Sequence, residues 1–275
     1  MTGSGPAAFF VSDSTGITAE TLGNTLLTQF PGQHFERHTV PFLTTEQQAR
    51  HLVAQIDVVV AAGRVSMVFS TVVDPGIRSI LAGSQGSFVD LFGTYLPQLE
   101  TALHTAASLR PGRAHGLGDA LRYQSRMSAV EYAMEHDDGQ SIRALERAQL
   151  ILIAPSRCGK TPTSMYLALQ HGIRTANFPL VDEDFEHRSL PAPIAPYTHK
   201  CFGLTSQSLR LSQIRQERRP GTVYASLAQC GWELRNAEDL YTRHGIPHLN
   251  SASMSVEEIS ATILQQTQIQ EHDPV

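Results

Sequence analysis

The stretch richest in reactive side chains is Ala154-Pro155-Ser156-Arg157-Cys158-Gly159-Lys160-Thr161, followed by Pro162. Its second half ends as a phosphate-binding loop of the form G-x-x-x-x-G-K-[ST] ends. In such a loop successive backbone N–H groups make an anion nest at a helix N-terminus, the lysine reaches the phosphates, and the hydroxyl residue meets Mg²⁺. Ala154 stands where the first glycine belongs. That costs the position its access to positive φ, so the turn must open from an ordinary conformation or be made differently. Pro162 falls in the first helical turn, where a missing N–H loses no intrahelical bond. All eight residues from Ala154 to Thr161 are therefore expected to line a phosphate site. The plain alternative is a chance strand-turn-helix with an exposed lysine.

Four other groups of residues invite chemistry. His136-Asp137-Asp138-Gly139 places two carboxylates together at a helix end, a costly arrangement unless a cation, an arginine or a proton compensates. Asp137 and Asp138 are thus candidates for orienting a hydroxyl nucleophile or holding Mg²⁺, against the alternative of a solvated acidic turn. Ser12 to Gly16 (SDSTG) forms a second small hydroxylic turn that can cap a helix or bind an anion. Arg215, Arg218 and Arg219 share a helix end and can grip phosphate or an acidic surface, or simply form a solvated basic face. Cys158 lies where a helix N-terminus would lower its pKa; a small loop-filling role is the other reading.

These groups need elements to position them. Residues 8–11 read as a strand leading through the SDSTG loop to a helix whose apolar face is Ile17, Leu22, Leu26 and Leu27. A helix at about 45–62 and a strand at 65–73 continue the alternation, which favours parallel α/β sheets. Residues 108–118 read as a linker, and a helix at about 119–135 ends at the HDDG turn. Then come a buried strand at 149–154, a helix from Lys160 closed by Gly172, and strands in IRTANFPLV, HKCFGLT and GIPHLNS. An arginine-rich helix follows HKCFGLT, and Ser255 with Glu258 makes a capping box for the last helix. The expected fold is α/β, two α/β halves with mainly parallel sheets, the C-terminal one a P-loop-containing kinase-like domain. Its parts are 1–110, a linker and connecting helix at 111–140, and 141–275.

Composition narrows the partners. The chain has 275 residues, 41% hydrophobic and 17% charged, with a formal net charge of −5, so no basic field invites nucleic acid. No apolar run is long enough to span a membrane, and the N-terminus lacks the pattern of a signal peptide, which points to the cytoplasm. Three scattered cysteines argue against a disulfide framework or a zinc ribbon.

Taken together, SDSTGITAETLG, FSTVVDP, EYAMEHDDG, PSRCGKTPTSMYLALQHGI and IRQERRPGTVYASLAQC resemble successive segments of the bacterial regulatory proteins that act on phosphoenolpyruvate synthase and on pyruvate, phosphate dikinase. The resemblance runs from about Phe9 to Ile263, and the RCGKTPTS form is similar to the synthase branch. Ala154 departs from the glycine usual in that family. The resemblance implies a bifunctional enzyme that uses ADP to phosphorylate a threonine of phosphoenolpyruvate synthase. It also implies removal of that phosphate by attack of inorganic phosphate, releasing diphosphate. In this reading residues 155–161 hold the ADP phosphates, Lys160 neutralises the transferred group, and Thr161 and Asp138 place Mg²⁺. Asp137 or Asp138 orients the threonine hydroxyl. A homodimer is expected. A small-molecule kinase or nucleotide hydrolase, and a nucleotide-sensing docking module, are the alternatives.

Overall fold

The computed structural model describes residues 5–111 and 120–269. The chain divides into two compact units, Met1–Gly118 and Asp119–Val275. Residues 112–118 of the expected linker lie outside the described residues.

The first unit alternates β1 (Ala7–Val11), α1 (Ile17–Leu27), β2 (Glu36–Val40), α2 (Glu46–Ala61), β3 (Ser66–Ser70), α3 (Pro75–Ala82), β4 (Ser87–Asp90) and α4 (Leu91–Leu103). Its four strands are parallel in the order β2-β1-β3-β4. Alternate residues of β1 point to opposite faces: Phe9 and Val11 pack with Leu52 and Ile56 of α2, and Ala8 and Phe10 with Ala19, Leu27 and Phe69. The α1 face differs from the expected one. Leu27 is buried as expected, but Ile17, Leu22 and Leu26 are exposed, and the helix buries Ala19 and Gly23 beside Leu27. The reason is close approach, since a Cβ on Gly23 would come within 2.5 Å of the Phe10 ring. Small residues at this spacing let α1 lie directly on the aromatic pair Phe10–Phe69, where larger side chains would hold it off.

The second unit contains α5 (Ala120–Glu135), β5 (Leu150–Ala154), α6 (Lys160–His171), β6 (Thr175–Pro179), α7 (Asp182–His187), β7 (Cys201–Thr205), α8 (Ser208–Arg218), α9 (Leu227–His244), β8 (His248–Asn250) and α10 (Val256–Thr267). Its strands are parallel in the order β6-β5-β7-β8. β5 is buried along its whole length, as its unbroken LILIA run requires of a central strand covered on both faces. Helix α6 ends where Gly172 adopts φ 66°, and α10 begins with the Ser255–Glu258 capping box. Helix α5 belongs to this unit; its Ala129 and Ala133 pack on Ala168 of α6. In a parallel α/β sheet the carboxyl ends of strands and the N-termini of the following helices share one edge. That edge of the second unit holds Ala154, Pro179 and the start of α6.

Candidate functional site: the turn between β5 and α6

The turn from Ala154 to Thr161 owes its shape to alternating handedness. Arg157 (φ 73°) and Gly159 (φ 91°) are left-handed, while Ser156, Cys158 and Lys160 are not. Such alternation aims successive N–H groups into a common concavity suited to an anion. Ala154 remains an ordinary strand residue, so the substituted glycine position needs no positive φ. The strain falls on Arg157, where a left-handed non-glycine residue costs on the order of 1–2 kcal/mol. A Cβ at Gly159 would meet no atom within 4 Å, leaving the cradle open there. Pro162 occupies the first turn of α6, and the N–H of Thr163 reaches the Gly159 carbonyl at 3.2 Å.

The lysine is not exposed. Lys160 is 4% accessible, with Nζ 3.3 Å from the Ala154 carbonyl and 3.6 Å from Asp138 Oδ1. Burial pushes its pKa below the ordinary lysine value, and the charge of Asp138 opposes that shift.

The HDDG turn delivers the carboxylates. Helix α5 ends at Glu135, and a single 3₁₀ turn, Asp137–Gly139, follows, with Asp138 left-handed at φ 52°. His136 is buried behind it, stacked on Tyr132 with ring centroids 3.9 Å apart, its nitrogens 2.8 and 2.6 Å from the Tyr132 and Arg143 carbonyls. The two aspartates separate in role. Asp137 Oδ1 accepts from the Thr161 hydroxyl at 2.7 Å and from Asn177 Nδ2 at 2.7 Å. Asp138 faces Lys160 instead. Asn177, fully buried on β6, also accepts the Asp138 N–H at 2.9 Å and lies 3.3 Å from Ser164 Oγ. It was not singled out from the sequence. A buried polar residue in an otherwise strand-like run must find partners, and that was the available signal.

A cleft of about 540 Å³ joins these parts, lined by Asp137, Asp138, Ser156, Lys160, Thr161 and Arg218 among others. The three arginines at the C-terminal end of α8, Arg215, Arg218 and Arg219, do not act together. Arg218 borders the cleft, and Arg219 caps the helix end. Arg215 is completely buried, bound to both oxygens of Glu233 at 2.9 and 2.6 Å, and donates to the Ser156 carbonyl at 2.9 Å. Its charge braces the turn from behind. Cys158 also differs from the activated thiol considered above: burial raises its pKa to about 12, and the side chain fills space in the core. The Ser12–Gly16 turn belongs to the other unit. There Asp13 accepts the Val73 N–H at 2.7 Å, and Ser12 Oγ accepts from Ser14.

Among the described residues no three His, Cys, Asp or Glu side chains converge on a metal position. A divalent cation here would take one or two carboxylate or hydroxyl oxygens and complete its shell from ligand phosphates, the usual habit of Mg²⁺. The adjacent oxygens of Asp137 and Thr161 suit that arrangement. No helix among the described residues is long and apolar enough to cross a membrane.

Comparison with known proteins extends the picture. The sequence pattern of the family described as kinase/pyrophosphorylase matches residues 8–264. A protein of Marinobacter nauticus, provisionally named a phosphoenolpyruvate synthase regulatory protein, is 46% identical over 266 residues, covering 96% of this chain and 98% of its own. Proteins with the same provisional name from Pseudomonas fluorescens Pf-5 and Pseudomonas aeruginosa LESB58 are 46% and 47% identical. They cover 94% of this chain each and 95% and 94% of their own. With the family pattern matched over residues 8–264 and relatives 46–47% identical over almost their whole length, this chain belongs to the kinase/pyrophosphorylase family.

Proposed function

We propose that the chain regulates phosphoenolpyruvate synthase by moving a phosphoryl group on and off a threonine of that enzyme. The observation that carries this reading is the alternating-handed turn opening α6, with a buried lysine and two carboxylates at its mouth. The names of the relatives supply the partner.

In the forward direction the threonine Oγ attacks the β-phosphorus of ADP, the bond from that phosphorus to the bridging oxygen breaks, and AMP leaves. Transfer of this kind asks the protein mainly for positioning and charge neutralisation. Backbone N–H groups between Ser156 and Thr161 hold the phosphates; Pro155 has none to give. Lys160 leaves Asp138 to neutralise the transferred group, and Arg218 supplies a second positive charge at the rim. Asp138, released from Lys160, orients the threonine hydroxyl and takes its proton. Mg²⁺, held by Asp137 and Thr161, would supply further neutralisation of phosphate charge; this gives Asp137 the place beside Thr161 that the sequence reading gave to Asp138. In the opposite direction an oxygen of inorganic phosphate attacks the phosphothreonine phosphorus, the P–Oγ bond breaks, diphosphate leaves, and Oγ recovers a proton. The same turn recognises phosphate oxygens in both reactions, because backbone N–H groups and a lysine address phosphate rather than adenosine.

The test uses purified synthase with ADP, then inorganic phosphate, followed by mass measurement of the synthase and detection of diphosphate. A gain of one phosphate and its phosphate-dependent loss are expected, and Lys160→Ala should depress both. Phosphorylation of a metabolite instead would identify a small-molecule kinase, and inhibition without added phosphate would identify a docking module.

A further inference from the structure

A second cleft of about 570 Å³ meets the phosphate cleft at Ser156. Val181, Asp182, Glu183, Val223, Tyr224 and Glu233 form much of its lining. Its wall is fastened to the phosphate-binding turn. Ser156 Oγ and the Tyr224 hydroxyl are 3.0 Å apart, and Arg215 donates to the Ser156 and Tyr224 carbonyls while gripping Glu233. The Arg215 guanidinium also lies 4.2 Å over the Tyr224 ring. Whatever occupies the second cleft is therefore held at a fixed distance from the turn between β5 and α6.

The two clefts differ in charge. In the first, Arg157, Lys160 and Arg218 outnumber Asp137 and Asp138, whereas Asp182 and Glu183 face the second, and the positive charge of Arg215 is matched to Glu233. Asp182 accepts a long bond of 3.4 Å from Gln229. Burial, and then the charges of Glu233 and Glu186, raise its pKa, as befits a carboxylate better served by an incoming cation. At the rim, Val181 and Val223 are 45% and 77% exposed and offer apolar contact.

We propose that this second cleft receives the stretch of the protein substrate flanking the accepting hydroxyl, with a basic side chain of that stretch set against Asp182. The inference rests on the reading above, in which the acceptor is a protein. Charge favours a cationic segment over the nucleoside of ADP as the occupant, because a neutral base brings no positive charge to two carboxylates. A hydroxyl beside a cationic anchor in this cleft is delivered to the turn at Ser156, next to the bound phosphates.

The experiment measures initial rates of ADP-dependent phosphorylation against concentration of purified phosphoenolpyruvate synthase, for wild type, Asp182→Asn and Asp182→Lys. ADP affinity is measured separately by calorimetry. Asp182 is exposed, so both variants should fold, and Asp182→Asn keeps the shape if the lysine variant does not. The expected result is a KM for the synthase raised about tenfold by lysine and about threefold by asparagine, with ADP affinity unchanged within about twofold. The difference should shrink as salt rises, because the contact is partly solvated. An unchanged KM for the synthase overturns the proposal. So does weakened ADP binding with the synthase KM unaltered, which would place the nucleoside in this cleft. If wild type moves no phosphate from ADP to the synthase, the underlying reading fails and takes this proposal with it; the wild-type measurement separates that case from the others.

Discussion

Replacing Asn177 with alanine tests how the two aspartates are held. The amide donates to the Asp137 carboxylate at 2.7 Å and accepts the Asp138 N–H at 2.9 Å, from a fully buried position. A hydrogen bond to a charged group contributes about 1.5–3 kcal/mol, and the ordinary bond from the Asp138 N–H, on an exposed residue, about 0.5–1.5 kcal/mol. Water entering the vacated space offsets part of this, so a net loss of about 3 kcal/mol is expected. For a unit of this size each kcal/mol moves Tm by roughly 2–4 °C, which sets the expected fall at about 6–12 °C. Turnover should fall roughly 10- to 100-fold at 20 °C, well below the melt, because Asp137 and the Asp138 backbone lose their fixed positions. Thermal melts and initial rates on the same preparations read both effects. Asn177→Asp should be worse for turnover, since it sets a second carboxylate against Asp137. A melt within about 1 °C of wild type would refute the bonding argument. A lowered melt with full turnover would refute the positioning argument while leaving the bonds intact.

Other outcomes follow from the same geometry. Gly159→Ala meets no steric obstacle but forces alanine to φ 91° and places a methyl in the cradle. ADP affinity by calorimetry should drop at least about tenfold, with a stability loss of only about 1–2 kcal/mol; unaltered affinity would place the phosphates elsewhere. Glu233→Ala leaves Arg215 buried without its partner and should cost about 3–5 kcal/mol in denaturant unfolding. The double change Arg215→Met, Glu233→Leu should cost less than Glu233→Ala alone, and a larger loss would contradict the desolvation argument. Burial pushes the Cys158 and Cys201 thiols up to about 12 and raises Cys230 as well. At pH 8 the folded protein should therefore give no rapid reaction with a disulfide reagent, whereas the unfolded chain yields three equivalents; one fast thiol in the folded state would overturn this.

The parts of the fold legible in the sequence were those that local physics decides. A buried run before a small turn, a lysine-threonine start and a glycine end defined β5, the turn and α6, and the Ser255–Glu258 box marked α10. What escaped depends on partners distant in sequence. Ile17, Leu22 and Leu26 of α1 read as a packing face with Leu27, but the ring of Phe10 sits so close that Gly23 and Ala19 join Leu27 there in their place. Arg215 looked like one of three surface cations until Glu233, on another helix, matched it. Adjacent aspartates look equivalent in a sequence. Only the left-handed backbone at Asp138 turns one toward Lys160 and the other toward Thr161.

In the proposed reaction, the pairing of Lys160 with Asp138 also sets the order of events. Before any ligand arrives, the buried ammonium has an internal counter-ion, so the turn does not sit as an uncompensated positive trap for every anion that passes. A phosphate that enters must displace that carboxylate, and part of its binding energy goes into the exchange. Displacement is also activation: the side chain pushed aside is freed as a proton acceptor at the moment the group to be transferred is in place. On that proposal occupancy itself arms the site, and the empty protein holds its proposed base in check.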